Sequence, residues 1–350
     1  MADHLKSGLE RATRRRRKMQ SITMTDVAEH AKVSPSTVSL YLRRPEAVSA
    51  SAGSAIAHAI DKLNYVPNLM AGGLAAASSR AVSIIVPSVR NAFFAETVSS
   101  MQTALRRERL QVILGHTEYD EREEEDLVRT ALSWSPAAIV LTGLAHSDAT
   151  RRMLSHSPVP VIEIWELGGP QIETAVGFHH AEVGAASARH LIQQGRRNLL
   201  YLGARMHEDQ RARQRCDGFL AAAQEAGVSV DVMQHPAPAS ADVGAMLLSE
   251  AMQTRPLTDG VACSNDHIAL GALFECERLG IAVPDRLAVI GFGDLSFSGA
   301  CNPSLTTIRP SGDLIGKEAA RLIIEHMAGR EPPAQSVIDT RFTLLHRRSS

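Results

Sequence analysis

The sequence predicts an α/β protein in which two lobes of doubly wound parallel sheet follow a small all-helical head. Three observations carry that prediction. Seven short apolar runs follow position 80: AVSIIVP (81–87), LQVILG (110–115), AAIVLT (137–142), VPVIEI (159–164), NLLYLG (198–203), GVACS (260–264) and LAVIGF (287–292). Nearly continuous runs of this length are strands covered on both faces. Amphipathic segments such as AETVSSMQTALRRE and GAASARHLIQQG separate them, so β and α units alternate. Before position 80 no β-rich run occurs, and 350 residues exceed what one core usually supports.

Taken in order, residues 1–20 form a basic arm containing RRRRK, and residues 21–66 form the helical head. Residues 67–80 are a linker that includes the small-residue stretch GGLAAASS. The remainder, 81–345, is the two-lobed core. The two series of β-α units, 81–160 and 175–290, each have about the size of one lobe; the first lobe is expected at about 81–161 and 294–323, and the second at about 162–293 and 324–345.

In the head, TMTDVAEHA makes an amphipathic helix with Val27 and Ala31 on one face, and KVS makes a tight turn in which Val33 plugs the core. Ser34 is a good N-cap, and Pro35 suits the first helical position. The second helix runs from Pro35 to about Leu42, with Val38 inward and Ser36, Thr37, Ser39 and Leu40 outward. A third helix in SASAGSAIAHAIDKLNY closes the core with Ile56, Ile60 and Leu63. This is a helix-turn-helix, whose second helix lies in the major groove of double-stranded DNA. Short hydroxyl side chains there reach phosphates and base edges without steric cost, so the expected contacts are Thr25, Ser34, Pro35, Ser36, Thr37, Ser39 and Leu40.

Charge agrees with that partner. The chain as a whole carries −1, yet residues 1–79 hold 11 Lys and Arg against 6 Asp and Glu, and the larger body is acidic. A polyanion is therefore expected to meet the first part only. The four cysteines, Cys216, Cys263, Cys276 and Cys301, form no CxxC, which fits reduced thiols rather than a metal or disulfide site. No apolar run approaches the ~20 residues of a membrane span. The basic N-terminus is followed by polar sequence, not a secretory h-region. The expectation is a cytoplasmic, nucleoid-associated protein without metal or cofactor.

In doubly wound sheets a ligand sits beyond the carboxyl ends of the strands. That directs attention to the loops SVRNAFF, HTEYD, GLAHSD, WELGG, ARMHED, NDH and GDLSFSG.

At a finer grain, TDVAEHAKVSPSTVSLYL, followed by LNYVPN and GGLAAASSRAVSIIVPS, resembles the headpiece, hinge and start of the core of LacI/GalR-type bacterial regulators. The resemblance extends from residue 22 to about 345. It implies a periplasmic-binding-protein-like core with an effector cleft between its lobes, and a homodimer on a pseudo-palindromic operator. It also implies a hinge helix after LNYVPN, with Asn68 at its start, Ala71 within it and Leu74 as a minor-groove wedge. In the cleft it marks Phe93 and Phe94 as stacking aromatics, Arg215 in RQRCDGF as a charged fork, and Asn265 in SNDHIALGA as a polar contact.

Three departures from that pattern bear on function. The family's common recognition-helix Arg is Leu40 here, which suits a thymine methyl rather than guanine. Gly72 and Gly73 weaken the hinge helix. The carboxylate that grips hydroxyls in many relatives with neutral sugars is replaced by Gly293, with Asp294 following, which fits an anionic effector. His146 is expected to add donor character to that site, and Glu163 to orient hydroxyls or Arg215.

SWSPAAIVLTG, AVGF, YLGAR and FECERLGIAVPD resemble the gluconate-operon repressor branch. The effector implied is a small sugar acid, gluconate or a relative such as 2-ketogluconate or a phosphorylated form; a neutral sugar or nucleoside is the alternative. No dinucleotide fingerprint or nucleophile elbow supports an enzyme. A solute-binding protein would need a signal peptide and no helix-turn-helix. FTLLHRRSS carries no heptad repeat, so a dimer is expected rather than a tetramer joined by a coiled coil.

Overall fold

The computed structural model describes residues 22–66, 80–89, 92–330 and 336–350. The chain divides into two compact units, Met1–Ala76 and Ala77–Ser350.

Among the described residues, the first unit is built on three α-helices. Helix α1 (Met24–Ala31) starts with a reciprocal cap: Asp26 N–H donates to Thr23 Oγ1 at 3.3 Å, and Thr23 N–H donates to the Asp26 carboxylate at 2.6 Å. Lys32, at φ 53°, ends it. Ser34 caps α2 (Pro35–Arg43), with Pro35 at the first helical position, and Ser49 caps α3 (Ala50–Leu63). Val27, Ala28, Val38, Ile56, Ala59 and Tyr65 are buried between them, with Val33, Ile60 and Leu63 packed at the edge.

The second unit contains two six-stranded sheets among the described residues. The first holds β1 (Ala81–Val86), β2 (Gln111–His116), β3 (Ala138–Thr142), β4 (Val161–Ile164), β5 (Thr174–Gly177) and β11 (Val337–Asp339), in the order β11-β5-β4-β3-β1-β2. The second holds β6 (Asn198–Ala204), β7 (Ser229–His235), β8 (Gly260–Cys263), β9 (Ala288–Phe292), β10 (Thr306–Pro310) and β12 (Phe342–Leu345), in the order β12-β10-β9-β8-β6-β7. Every pairing is parallel except β10 with β12. All seven expected runs form strands.

The lobe boundaries differ from those expected. Strand β4 extends the first sheet beside β3, and β5 and β11 extend it further, so 162–177 and 337–339 belong with the first lobe. Strand β10 pairs with β9, which puts 306–310 in the second lobe's sheet. Helix α11 (Gly312–Met327) returns to the first lobe and packs on α4 (Ala92–Arg107): Thr97 Oγ1 donates to Gly312 O at 2.9 Å, and Ser100 Oγ to Asp313 O at 3.1 Å. Hydrogen-bonded edges, rather than the sequence repeat, decide where each lobe stops.

Strand order reverses between β1 and β3 in one sheet and between β6 and β8 in the other. A doubly wound sheet opens a crevice at such a reversal. The loops after β1, β3, β6 and β8 therefore frame one site between the lobes.

Candidate functional site

The head presents a short hydroxyl-rich helix. Ser34 Oγ accepts the Thr37 N–H at 3.1 Å and also lies 2.7 Å from Ser36 Oγ and 2.8 Å from Thr37 Oγ1. Ser34, Pro35, Ser36 and Thr25 are exposed, while Thr37, Ser39 and Leu40 are half-buried. Leu40 is not among the apolar side chains packed on the head's core, unlike its neighbours Tyr41 and Leu42. The helix thus keeps one side inward through Val38 and leaves the expected contact residues on another. Asn68, Ala71 and Leu74 lie outside the described residues.

Between the lobes, the central group is Arg215. It projects from the second turn of α8 (Gln210–Glu225), and only 5% of it is exposed. Its Nη2 donates to Ser264 O at 2.9 Å, its Nη1 donates to His180 Nδ1 at 2.9 Å, and the guanidinium lies 4.1 Å above the Phe292 ring. No carboxylate pairs with it among the described residues, and its Nε and the neighbouring Ser264 Oγ are buried without partners. A buried cation with only neutral partners is costly until an anion reaches it.

His180 opens α7 (His180–Gln193), and its Nε2 donates to Trp165 O at 2.8 Å. Burial, and then the Arg215 guanidinium, hold its pKa well below the usual imidazole range, so it is neutral. Around this pair stands an aromatic wall of Phe93, Trp165, Phe178 and Phe292, with ring centroids 5.8–6.3 Å apart.

The two expected stacking aromatics separate. Phe94 is buried edge-on against Trp165, centroids 5.2 Å apart, and is a core residue. Phe93 is half-buried and reaches across to the second lobe, where it lies on Gly293. Gly293 has φ +129°, and any Cβ there would overlap the Phe93 ring. Its lack of a side chain is thus required by packing as well as by backbone conformation.

Two expected effector contacts are engaged elsewhere. Asp294 accepts from Arg309 Nε and Arg347 Nη2, both at 2.6 Å, so two guanidinium groups already satisfy its carboxylate. His146 lies between Glu124, 2.8 Å from Nδ1, and Glu163, 3.4 Å from Nε2, with no side-chain exposure. Burial opposes its charge, but the two carboxylates prevail and raise its pKa to about 9. Glu163 also accepts the Ile172 N–H at 2.6 Å. His146 and Glu163 serve each other inside the first lobe, and neither orients Arg215. Asn265 caps α10 (Asp266–Leu279): its Oδ1 accepts from His267 N and Ile268 N at 3.1 Å, leaving the amide NH2 as the group free for a ligand.

Other groups at the crevice bridge the lobes. Gln214 Nε2 donates to Glu166 Oε1 at 2.6 Å, and Arg211 Nη1 donates to Thr142 O at 3.2 Å. Tyr119, held neutral by burial, lies under Arg205 with 5.7 Å from guanidinium to ring centroid. Glu118, Tyr119, Trp165 and Arg205 all adopt positive φ, an arrangement that clusters at ligand sites.

Residues 23–68 match the family described as bacterial regulatory proteins, lacI family, and residues 188–350 match the periplasmic binding protein-like domain. The HTH-type transcriptional regulator GntR of Pseudomonas aeruginosa is 37% identical over 331 residues, covering 94% of this chain and 95% of its own length. The chain belongs to the LacI family. It is accordingly a DNA-binding transcriptional regulator and not an enzyme.

Solved LacI-family structures agree with this fold. A transcriptional regulator from Silicibacter pomeroyi superposes with a TM-score of 0.89 at 30% identity, covering 94% of this chain and all but 1% of its own. The transcription regulator GntR from Chromobacterium violaceum superposes with a TM-score of 0.72 at 36% identity, covering 77% of this chain and 99% of its own. Among the described residues, no helix of this LacI-family chain is long and apolar enough to cross a membrane.

Sequence reasoning missed His180, Trp165, Glu166, Arg211 and Gln214. WELGG is one of the loops the sequence places at the crevice, and Arg211 lies in the same RARQR run as Arg215. Their hydrogen-bond partners are 15 to 69 positions away, which no local spacing discloses.

Proposed function

We propose that this LacI-family regulator is a cytoplasmic repressor that binds a pseudo-palindromic operator as a homodimer and responds to a small sugar acid such as gluconate or 2-ketogluconate. The observation that carries the effector class is Arg215, buried without a carboxylate partner beside an orphaned Ser264 hydroxyl. A ligand carboxylate satisfies the free guanidinium edge, and ligand hydroxyls meet Ser264 Oγ and the amide of Asn265. Phe93, the half-buried member of the aromatic wall, covers the ligand's carbon chain. The similarity to proteins named GntR is in keeping with this reading.

At the head, Ser34, Ser36, Thr37 and Ser39 contact phosphates and base edges, and Leu40 contacts a thymine methyl. In the hinge, which begins at Asn68 and includes Ala71, Leu74 wedges the minor groove. Effector binding closes the cleft, and the closure disfavours pairing of the hinge segments. Couplings of this kind amount to about 1–3 kcal/mol, so release is graded.

A thermal-shift screen of sugar acids, then a gel shift on the DNA upstream of the protein's own coding region, tests the proposal. D-gluconate is expected to raise the melting temperature and weaken the shifted band. Stabilisation by neutral sugars and not by aldonates would overturn the effector class.

A further inference from the structure

Gly293 leaves the end of β9 without an acid, yet a different element brings a carboxylate to the crevice. Glu166 follows β4, and only 4% of it is exposed. Its Oε2 accepts the Leu144 N–H at 3.2 Å and its Oε1 accepts Gln214 Nε2 at 2.6 Å. Both donors are neutral, and no cation forms an ion pair with it among the described residues. Its neighbour His146 is occupied by Glu124 and Glu163. Each Glu166 oxygen retains a lone-pair direction beyond the one in use.

The position is a lobe-to-lobe one. Gln214 lies one position before Arg215 on α8, so Glu166 is tied to the helix that carries the effector-binding guanidinium. Gly143, at φ +96°, lies against both Glu166 Oε2 and Arg211 Nη1, and a Cβ there would meet both. Acid and guanidinium thus come close to each other at Gly143 from opposite lobes, with no ion pair between them among the described residues. A buried carboxylate in this setting repels an anion unless it gains hydroxyl donors in return. An unsubstituted carboxylic acid offers none; a polyhydroxylated one offers several.

We propose that Glu166 is the specificity-determining carboxylate of the cleft, accepting hydroxyl donors from an open-chain polyhydroxy acid whose carboxylate lies on Arg215. This rests on the sugar-acid reading and adds the polyol requirement to it. Arg211 reaches over the same ligand from the second lobe, whereas Gln214 only ties the acid to α8.

Calorimetric titration of the full-length chain with D-gluconate tests the assignment in the wild type and in Glu166→Gln, Glu166→Asp, Gln214→Ala and Arg215→Gln. Loss of a hydroxyl acceptor is expected to weaken binding about tenfold or more in Glu166→Gln. Glu166→Asp keeps the charge but withdraws it by one methylene, and a similar loss is expected. Gln214→Ala retains the acid and is expected to lose less than about threefold. Melting temperatures without ligand, equal to wild type for at least one Glu166 variant, exclude a folding defect.

Unchanged or tighter binding in Glu166→Gln, as simple repulsion requires, overturns the assignment. So does a Gln214→Ala loss as large as that of Glu166→Gln, which would make Glu166 a mere anchor for Gln214. If Arg215→Gln abolishes binding while both Glu166 variants bind as the wild type does, this inference alone falls. If the wild type binds no gluconate, the sugar-acid reading falls with it.

Discussion

Arg215 donates from Nη1 to Nδ1 of His180 at 2.9 Å, a contact that requires the imidazole to be neutral with its proton on Nε2. The Nε2–H···O bond to Trp165 selects that tautomer, and burial beside the guanidinium keeps the second proton off. The pH consequence has a definite sign. The unfolded chain takes up a proton near pH 6.5 that the folded chain refuses. The stabilisation is therefore intact above that pH and lost as pH falls below it. Thermal melts of His180→Gln between pH 5 and 7 are expected to show a shallower acid-side decline than the wild type.

His146 acts in the opposite sense. Its folded pKa is raised to about 9, so its contribution is fully present below about pH 6.5 and lost as pH rises through about 9. By linkage the full contribution is on the order of 3 kcal/mol. His146→Gln is expected to lower stability near pH 7, measured by urea unfolding of the core, and to flatten the decline between pH 6.5 and 9. An equal slope in the variant would assign the charge elsewhere.

Gly293→Ala is expected to be costly out of proportion to one methyl group. The new Cβ meets the Phe93 ring, and φ +129° is itself unfavourable for alanine. Together, overpacking and strain amount to about 2–5 kcal/mol, readable as a lowered urea midpoint. Phe93→Ala in the same chain is expected to restore part of the loss, because the colliding ring is gone.

Leu40 is a matter of sequence preference rather than stability. It stands off the head's apolar core, so Leu40→Arg is expected to leave stability within about 0.5 kcal/mol. Selection from randomised duplexes is expected to show a new guanine preference at one position in each half-site, worth about 1–3 kcal/mol.

Much of the architecture was legible in the sequence because strands covered on both faces are largely apolar; β2 is the exception, an apolar run left largely uncovered, with Leu114 45% exposed. All seven such runs are strands, and the capped head helices form at their expected places, with α2 ending at Arg43 rather than near Leu42. Strands such as TTIRP and VID escaped notice because they are short, polar or at an exposed edge. That omission is also what misplaced the lobe boundaries. In the cleft, Arg215 was legible from its helical context, whereas the roles of its surroundings were not. Asp294 and His146 look free in the sequence, but their charges are met by Arg309, Arg347, Glu124 and Glu163, most of them remote along the chain. His180 comes near Arg215 because α7 and α8 pack closely, Gly184 against Arg215 O and Gly218 against Ala181 O, whereas Glu166 reaches α8 from the end of β4 in the other sheet.

The measurement nearest the central claim is operator release by D-gluconate in wild type and Arg215→Gln, followed by fluorescence anisotropy on the same labelled duplex. The wild type is expected to release the operator as gluconate rises, and Arg215→Gln to bind the duplex with similar affinity but no longer respond. Release of Arg215→Gln at wild-type gluconate concentrations would contradict the claim.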